Sequence, residues 1–483
     1  MQPVRDFGYG TGPSLMESTK YDLIVIGSGP AGEKGAAQAA YFGKSVALIE
    51  KEAHPGGAAT NTGTLPSKTL RETALFLSGF RNRDLSGVNL SLKHQVTIRD
   101  FLVHEQHVTR EERIRILENL SRHRVQLYRG TASFVDTHTV RVRAEDESEL
   151  FLQGDVILIA VGSSPYRPPI YPFEDPRVWD SDTILQLQHM PKSMLVVGGG
   201  VIGCEYACMF AILGIEVTVV EQRSRAVGSL DAEIAASLQS QMESIGIRFI
   251  FNDSVESVDA NEEIHVRLKS GLSLKPGAIL VSSGRNGNTA DLGLDRVGVT
   301  VNERGVIHVD SQYQTAAPHV YAAGDVIGSP ALASTAMEQA RVAMVNAFDL
   351  KYKSDIAVVL PYGIFTIPEC SMAGETEESL KKKEIPYVVG KATYDSNARG
   401  HIIGDEKGFL KLLFAIDDMT LLGVHVIGEQ ATELVHVGLT ALLMKQGADL
   451  FIQTCYNYPT LTELYKYATY DALGRRAALR TNS

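Results

Sequence analysis

YDLIVIGSGPAGEKGAAQAAYFGKSVALIE, Tyr21–Glu50, is the stretch whose reading decides the fold. An apolar strand runs into a glycine turn, an Ala-rich helix follows, and a second apolar strand ends on an acid. That order is a complete βαβ unit of the kind that cradles a dinucleotide. Gly27 permits the tight turn, Gly29 lets the backbone approach a pyrophosphate, and Gly32 lets helix and strand close on each other. Amides at the helix start face the phosphates, and Glu50 is placed to accept hydrogen bonds from ribose hydroxyls.

The same order recurs in SMLVVGGGVIGCEYACMFAILGIEVTVVE, Ser193–Glu221. Gly198, Gly200 and Gly203 take the three glycine positions and Glu221 ends the strand. A lone glycine motif is weak, but strand, glycines, helix and terminal acid together, found twice, imply two dinucleotides. No other internal repeat and no low-complexity block is evident.

The whole chain agrees with a multi-domain globular protein. Its 483 residues exceed what one core organises, and 44% hydrophobic with 21% charged residues is an ordinary folded composition. A formal net charge of -11 disfavours nucleic acid as a partner, since phosphate neutralisation needs clustered cations. Apolar runs such as Tyr21–Ile26 and Met194–Val197 are too short to cross a bilayer, so no membrane span is expected. The first twenty residues carry Gly, Pro and Ser without a secretory core and read as a flexible extension, with Met16 an alternative start. Four cysteines, Cys204, Cys208, Cys370 and Cys455, lack zinc-ligand spacing or a paired framework, which makes a reducing compartment, the cytoplasm, the expected address.

With both units in view, the chain resembles the two-dinucleotide-binding disulfide oxidoreductase flavoproteins, the family of glutathione reductase and dihydrolipoamide dehydrogenase. TAAPHVYAAGDV, with Gly324 and Asp325, is similar to the segment that closes over the flavin in that family. ILIAVGSSPYRP around Gly162 is similar to its connecting strand, and SSGRNGN, with Gly284 and Arg285, to its return into the FAD domain. The resemblance runs from about Tyr21 to the C-terminus.

The resemblance implies an α/β fold with two Rossmann-like domains, for FAD and NAD(P), and a C-terminal α+β dimerisation domain. Residues 20–165 and 289–354 would form the FAD domain, 166–288 an inserted NAD(P) domain, and 355–483 the interface of a homodimer. FAD is expected on Gly27, Gly29, Gly32, Glu50, Gly57, Lys68, Gly162, Arg285, Gly324 and Asp325, with Asp325 on the ribityl chain. The helical spacing of ALASTAMEQARVAMVNAF puts Ala333 near a helix start whose dipole favours negative charge on the flavin ring. NAD(H), with NADP(H) undecided, is expected on Gly198, Gly200, Gly203, Glu205, Glu221, Arg223, Arg225 and Gly284. Glu221 suits the ribose hydroxyls of NAD and repels a 2′-phosphate, while Arg223 and Arg225 read equally as phosphate clamps or as solvated loop charges.

The departures are as informative as the matches. The family's redox segment, two cysteines in G-G-x-C-x-x-x-G-C-x-P-S-K, reads here GGAATNTGTLPSK, with Ala59 and Thr64 at the cysteine positions. Neither side chain exchanges thiols. The family's acid–base element H-P-T-x-x-E reads YPTLTE, with Tyr458 for the histidine and Glu463 kept. A phenol of pKa about 10 is a poor proton acceptor at neutral pH. Lys68 and Glu205, whose counterparts form an ion pair beside flavin N5, are both retained as the expected catalytic residues. The C-terminal half is most similar to soluble pyridine nucleotide transhydrogenases, from which Ala59 and Glu221 depart. Hydride exchange between nicotinamides through flavin is thus the leading expectation. An NADH:acceptor oxidoreductase is second, and a flavin-binding regulator without turnover third.

HEQHVTREERIRILENLSRHRV reads as an amphipathic helix with Ile114, Leu117 and Leu120 inward. His104 and His107 lack a third ligand nearby, and no metal is expected. Cys204 and Cys208, one turn apart, read as residues buried against the sheet.

Overall fold

The computed structural model describes residues 18–79, 97–353 and 355–481. Most of the expected N-terminal extension, Met16 included, lies outside them, but Thr19 and Lys20 open the first strand rather than belonging to a tail. The described residues divide into two compact units, and those within 1–57, Arg113–Ser163 and Gly287–Asp355 belong to the first.

In that unit five strands run parallel in the order Gln126–Arg129, Val46–Glu50, Thr19–Ile26, Glu149–Ile159, Val320–Ala322. Leu23, Ile24 and Val25 are fully buried, as a central parallel strand covered on both faces requires. The first half of Glu149–Ile159 pairs instead with the antiparallel strand Thr139–Arg143, and that with Thr131–Phe134. Ile24, Ile49, Phe134, Val140, Ile157 and Val320 form the core of one face. On the sheet lie two helices, Pro30–Tyr41 and Ala333–Ala347, packed against each other. At Gly35 an added Cβ would strike the end of the Leu158 side chain on the sheet and meet Ala340 of the neighbouring helix at ordinary contact distance.

The second unit holds the described residues within 58–112, Ser164–Asn286 and 356–483. Its first sheet is wholly parallel, ordered Arg248–Phe251, Glu216–Glu221, Ser193–Val197, Ala278–Val281, Val178–Asp180. A second, antiparallel sheet is ordered Tyr362–Ile364, Cys370–Gly374, Leu421–Ile427, Phe409–Ala415, Tyr387–Thr393. Helices Ala431–Leu443 and Leu464–Thr481 pack on it. Helix Thr64–Leu77 packs against Val201–Ile212, with Leu70 and Ala74 in the same core as Ala207 and Cys208.

The amphipathic stretch forms a helix, Ile98–Arg122, with Leu120 inward as expected, but the rest of its inward face differs. Ile114 and Leu117 are exposed, whereas Phe101, Glu105, Thr109, Ile116 and Leu120 are buried. The i, i+4 row through Phe101, Glu105 and Thr109 is the buried one, and its two polar members satisfy each other, Thr109 Oγ1 donating to Glu105 at 2.7 Å. Polar residues on the inward face concealed the register from an apolar count. His104 and His107 lie on the exposed side. No helix among the described residues is long and apolar enough to cross a membrane.

Candidate functional site

In each unit several of the expected nucleotide residues follow the C-terminal ends of parallel strands, where open α/β sheets bind ligands, whereas Lys68 and Arg285, expected on FAD, fall in the second unit. Gly27 follows Ile26, Glu50 ends its own strand, Gly162 follows Ile159, and Gly324 follows Ala322. The second unit repeats this with Gly198 after Val197, Glu221, and Gly284 after Val281.

The two glycine loops share one geometry. Gly27 and Gly198 adopt φ of 98° and 101°, and an added Cβ would strike the carbonyls of Ala160 and Ser282. Gly32 and Gly203 press against the carbonyls of Gly27 and Gly198, so any side chain would force helix from strand. Gly29 and Gly200 are the N-caps of helices Pro30–Tyr41 and Val201–Ile212, and neither helix has a side-chain cap. First-turn amides are thereby left to an anion. A Cβ on Gly200 would meet nothing within 4 Å, while Gly57 packs its backbone on Gly29.

The terminal acids are also duplicated. Glu50 Oε2 accepts from Ser28 N at 3.0 Å and from Ser28 Oγ, and its Oε1 accepts from Glu52 N at 2.8 Å. Glu221 Oε2 accepts from Gly199 N at 2.7 Å and its Oε1 from Arg223 N at 2.8 Å. Each carboxylate ties its strand end to its glycine loop. With about four acceptor sites per carboxylate, each keeps capacity for a sugar hydroxyl. These features fit two dinucleotides.

Around the first loop, Gly324 N donates to Gln339 Oε1 at 2.9 Å, and Gly324 packs between Ala31 and Ala336, near the starts of the two helices. Ser163 Oγ donates to Asp325 Oδ2 at 2.9 Å, and Ala333 is the first residue of its helix. Around the second loop, Arg225 donates to Gly228 O at 3.0 Å and stands 3.6 Å from Glu378, while Arg223 is exposed. Arg285 pairs with Asp182 at 3.1 Å.

Lys68 and Glu205 meet. Lys68 Nζ lies 2.7 Å from Glu205 Oε2, and Glu205 Oε1 accepts from Phe365 N at 2.8 Å. The Glu205 side chain is 5% exposed, so this buried charge is matched by an ammonium and an amide, as a stable buried carboxylate must be. Lys68 is 27% exposed and reaches solvent. Its Nζ also donates to Ser67 Oγ at 3.3 Å and sits 5.0 Å from the centre of the Phe365 ring.

Ala59 lies in the short helix Gly57–Asn61, and Thr64 is the exposed first residue of the helix that carries Lys68. Tyr458 is 75% exposed, and Glu463 closes the turn Leu461–Glu463. Cys204 and Cys208 are fully buried. Burial pushes the Cys208 thiol up to about 12 and the Cys204 thiol well above its usual range.

Sequence reasoning missed Phe365 and a buried ionic cluster. Lys411, 0% exposed, reaches Asp231 Oδ1 at 2.8 Å, Glu233 at 3.2 Å and Glu377 at 2.5 Å. The three carboxylates stand close enough to hold a metal ion, but the Lys411 ammonium already supplies their cation. The available signal was a lysine in the apolar strand FLKLLFA.

Comparison with known proteins shows the family. Residues 21–340 match the pyridine nucleotide-disulphide oxidoreductase family and residues 360–469 its dimerisation domain. The chain belongs to that family, and its α/β fold is of two Rossmann-like domains with a C-terminal α+β domain. It is 44% identical over 462 residues to a soluble pyridine nucleotide transhydrogenase of Mycobacterium tuberculosis, covering 95% of this chain and 98% of that one. A protein of the same description from Pseudomonas putida is 40% identical over 464 residues, covering 94% and 98%. Among solved structures, LpdA of Mycobacterium tuberculosis superposes with a TM-score of 0.86 at 26% identity, covering 94% of this chain and 99% of that one. The flavoprotein disulfide reductase RclA of Escherichia coli superposes with 0.84 at 26% identity over the same shares.

Proposed function

We infer that this chain is an FAD-dependent NAD(P)H oxidoreductase of the soluble transhydrogenase kind, passing hydride from one nicotinamide nucleotide to another without a protein disulfide. One observation carries the reading: the Lys68–Glu205 pair is intact at 2.7 Å while Ala59 and Thr64 stand at the thiol positions. Tyr458 at the acid–base position supports it, because a protein without the thiol needs no base for it. The similarity to transhydrogenases over nearly the whole chain points the same way.

Residues 20–165 and 289–354 are assigned to FAD, 166–288 to the nicotinamide nucleotide and 355–483 to a homodimer interface. A cytoplasmic location is part of the reading. Bound FAD supplies a ring that accepts a hydride and releases it. Around it, Gly29 and the first-turn amides of helix Pro30–Tyr41 bind pyrophosphate, Glu50 orients the ribose, and Asp325 holds the ribityl chain. Gly200 and Glu221 do the same for the nicotinamide nucleotide. Lys68 offers a fixed positive charge to electron density arriving in the ring, and Glu205 holds Lys68 in place. Glu221 favours NADH. Arg225 is occupied with Gly228 and Glu378, which leaves exposed Arg223 as the cation for a 2′-phosphate.

The test is steady-state exchange between NADH and the thionicotinamide analogues of NAD and NADP, with oxygen excluded. Turnover supports the reading. Turnover only with a quinone would replace it with an NADH:acceptor oxidoreductase, and no flavin bleaching at all would leave a flavin-binding regulator.

A further inference from the structure

We propose that Phe365 is a positioning residue for hydride transfer, holding both members of the Lys68–Glu205 pair with two different parts of itself. The inference rests on the assignment of that pair to the hydride step. Its backbone N–H donates to Glu205 Oε1 at 2.8 Å, which leaves Oε2 to Lys68. Its ring lies 5.0 Å from Lys68 Nζ, within the reach at which the negative face of an aromatic ring attracts an ammonium.

The setting of the residue argues against simple core packing. Ile364, Thr366 and Ile367 are at most 1% exposed, yet Phe365 between them is only part-buried, on the side that carries Lys68. The segment is also bolted to the helix that bears Lys68. Arg71, one turn along that helix, donates to Thr366 O at 3.0 Å and lies 3.2 Å from Glu369 Oε1. Glu369 Oε2 accepts from Thr432 N at 3.2 Å and Thr432 Oγ1 at 2.8 Å. Ring and ammonium are thus held in one rigid frame. A lysine on a flexible stem needs such a frame if its charge is to stand ready before the reaction rather than reorganise during it.

The experiment follows flavin bleaching by NADH in holoenzyme by stopped flow, comparing wild type with Phe365→Leu, Phe365→Tyr and Lys68→Met. Leucine keeps the amide and most of the bulk but loses the ring, whereas tyrosine keeps the ring. Phe365→Leu should slow the limiting rate about fivefold or more, with FAD content and NADH half-saturation unchanged. Phe365→Tyr should restore it. In the Lys68→Met background, Phe365→Leu should have no further effect, because the ring acts through the ammonium. Wild-type speed in Phe365→Leu beside a slow Lys68→Met overturns the proposal while leaving the site assignment standing. Wild-type speed in Lys68→Met overturns the assignment itself. If the leucine variant fails to fold, Phe365→Met, whose flexible side chain refills the space, takes its place, and the same rates decide.

Discussion

Lys68 and Glu205 are 137 positions apart in sequence, yet Nζ and Oε2 are separated by 2.7 Å, the closest approach either charged group makes to an opposite charge. Two helices packed through Leu70, Ala74, Ala207 and Cys208 bring them there. Lys68→Met keeps the stem and removes the charge, and should slow flavin reduction by NADH about a hundredfold while FAD content stays at the wild-type level. Equal reduction rates would remove Lys68 from the mechanism.

Glu50 and Glu221 perform the same structural task in two different loops, so matched substitutions should separate the two nucleotides. Glu50→Ala should release FAD on dilution, read from the flavin spectrum of the filtrate. Glu221→Ala should retain FAD and lower kcat/KM for NADH about tenfold, the cost of losing hydrogen bonds to a charged acceptor. If Glu221→Ala sheds flavin instead, the assignment of the loops is reversed.

The buried cluster makes a stability prediction with a defined sign. Burial pushes the carboxyls of Asp231, Glu233 and Glu377 up, but hydrogen bonds from Lys411, joined at Glu233 by Lys391, outweigh it and hold all three below the usual range. Carboxyls depressed in the folded state stabilise above their unfolded pKa, and that stability is lost as pH falls through the folded value. Lys411→Met strands these charges and should cost about 3–5 kcal/mol at neutral pH. The gap in Tm between wild type and variant should narrow below about pH 4. His425, whose ring burial holds below its usual value with the Lys411 charge adding to that, also costs stability in acid; loss of Lys411 eases its protonation, which narrows the gap in the same sense. A gap that widens in acid would contradict the cluster's role.

Thiol chemistry offers a simple check on the fold. Cys204, Cys208 and Cys370 are buried and their thiols pushed up by burial, whereas Cys455 is exposed. Native protein should titrate with no more than one thiol per chain, and Cys455→Ser with none. Rapid reaction of further thiols would contradict the burial of the helix Val201–Ile212 or of the strand Cys370–Gly374.

Much of this was legible in the sequence because backbone geometry dictated residue type. A φ near 100° at Gly27 and Gly198, and no room for a Cβ at Gly32 and Gly203, leave glycine as the residue these positions accept. Glu50 and Glu221 were readable for a related reason: each sits where a strand end must be tied to its loop. Phe365 was not, since its contribution is half a backbone N–H, which any residue but proline provides. The Lys411 cluster escaped because its partners come from segments as far as 180 positions apart. The helix Ile98–Arg122 was found but its register was not, because Glu105 and Thr109 face inward as a mutually satisfied pair.

The central claim is that hydride crosses this protein by way of flavin and never by way of sulfur. Its most direct test is to alkylate every reactive thiol of the holoenzyme and measure exchange from NADH to a thionicotinamide nucleotide without oxygen. The account predicts an unchanged rate; loss of exchange on alkylation, with FAD still bound, would contradict it.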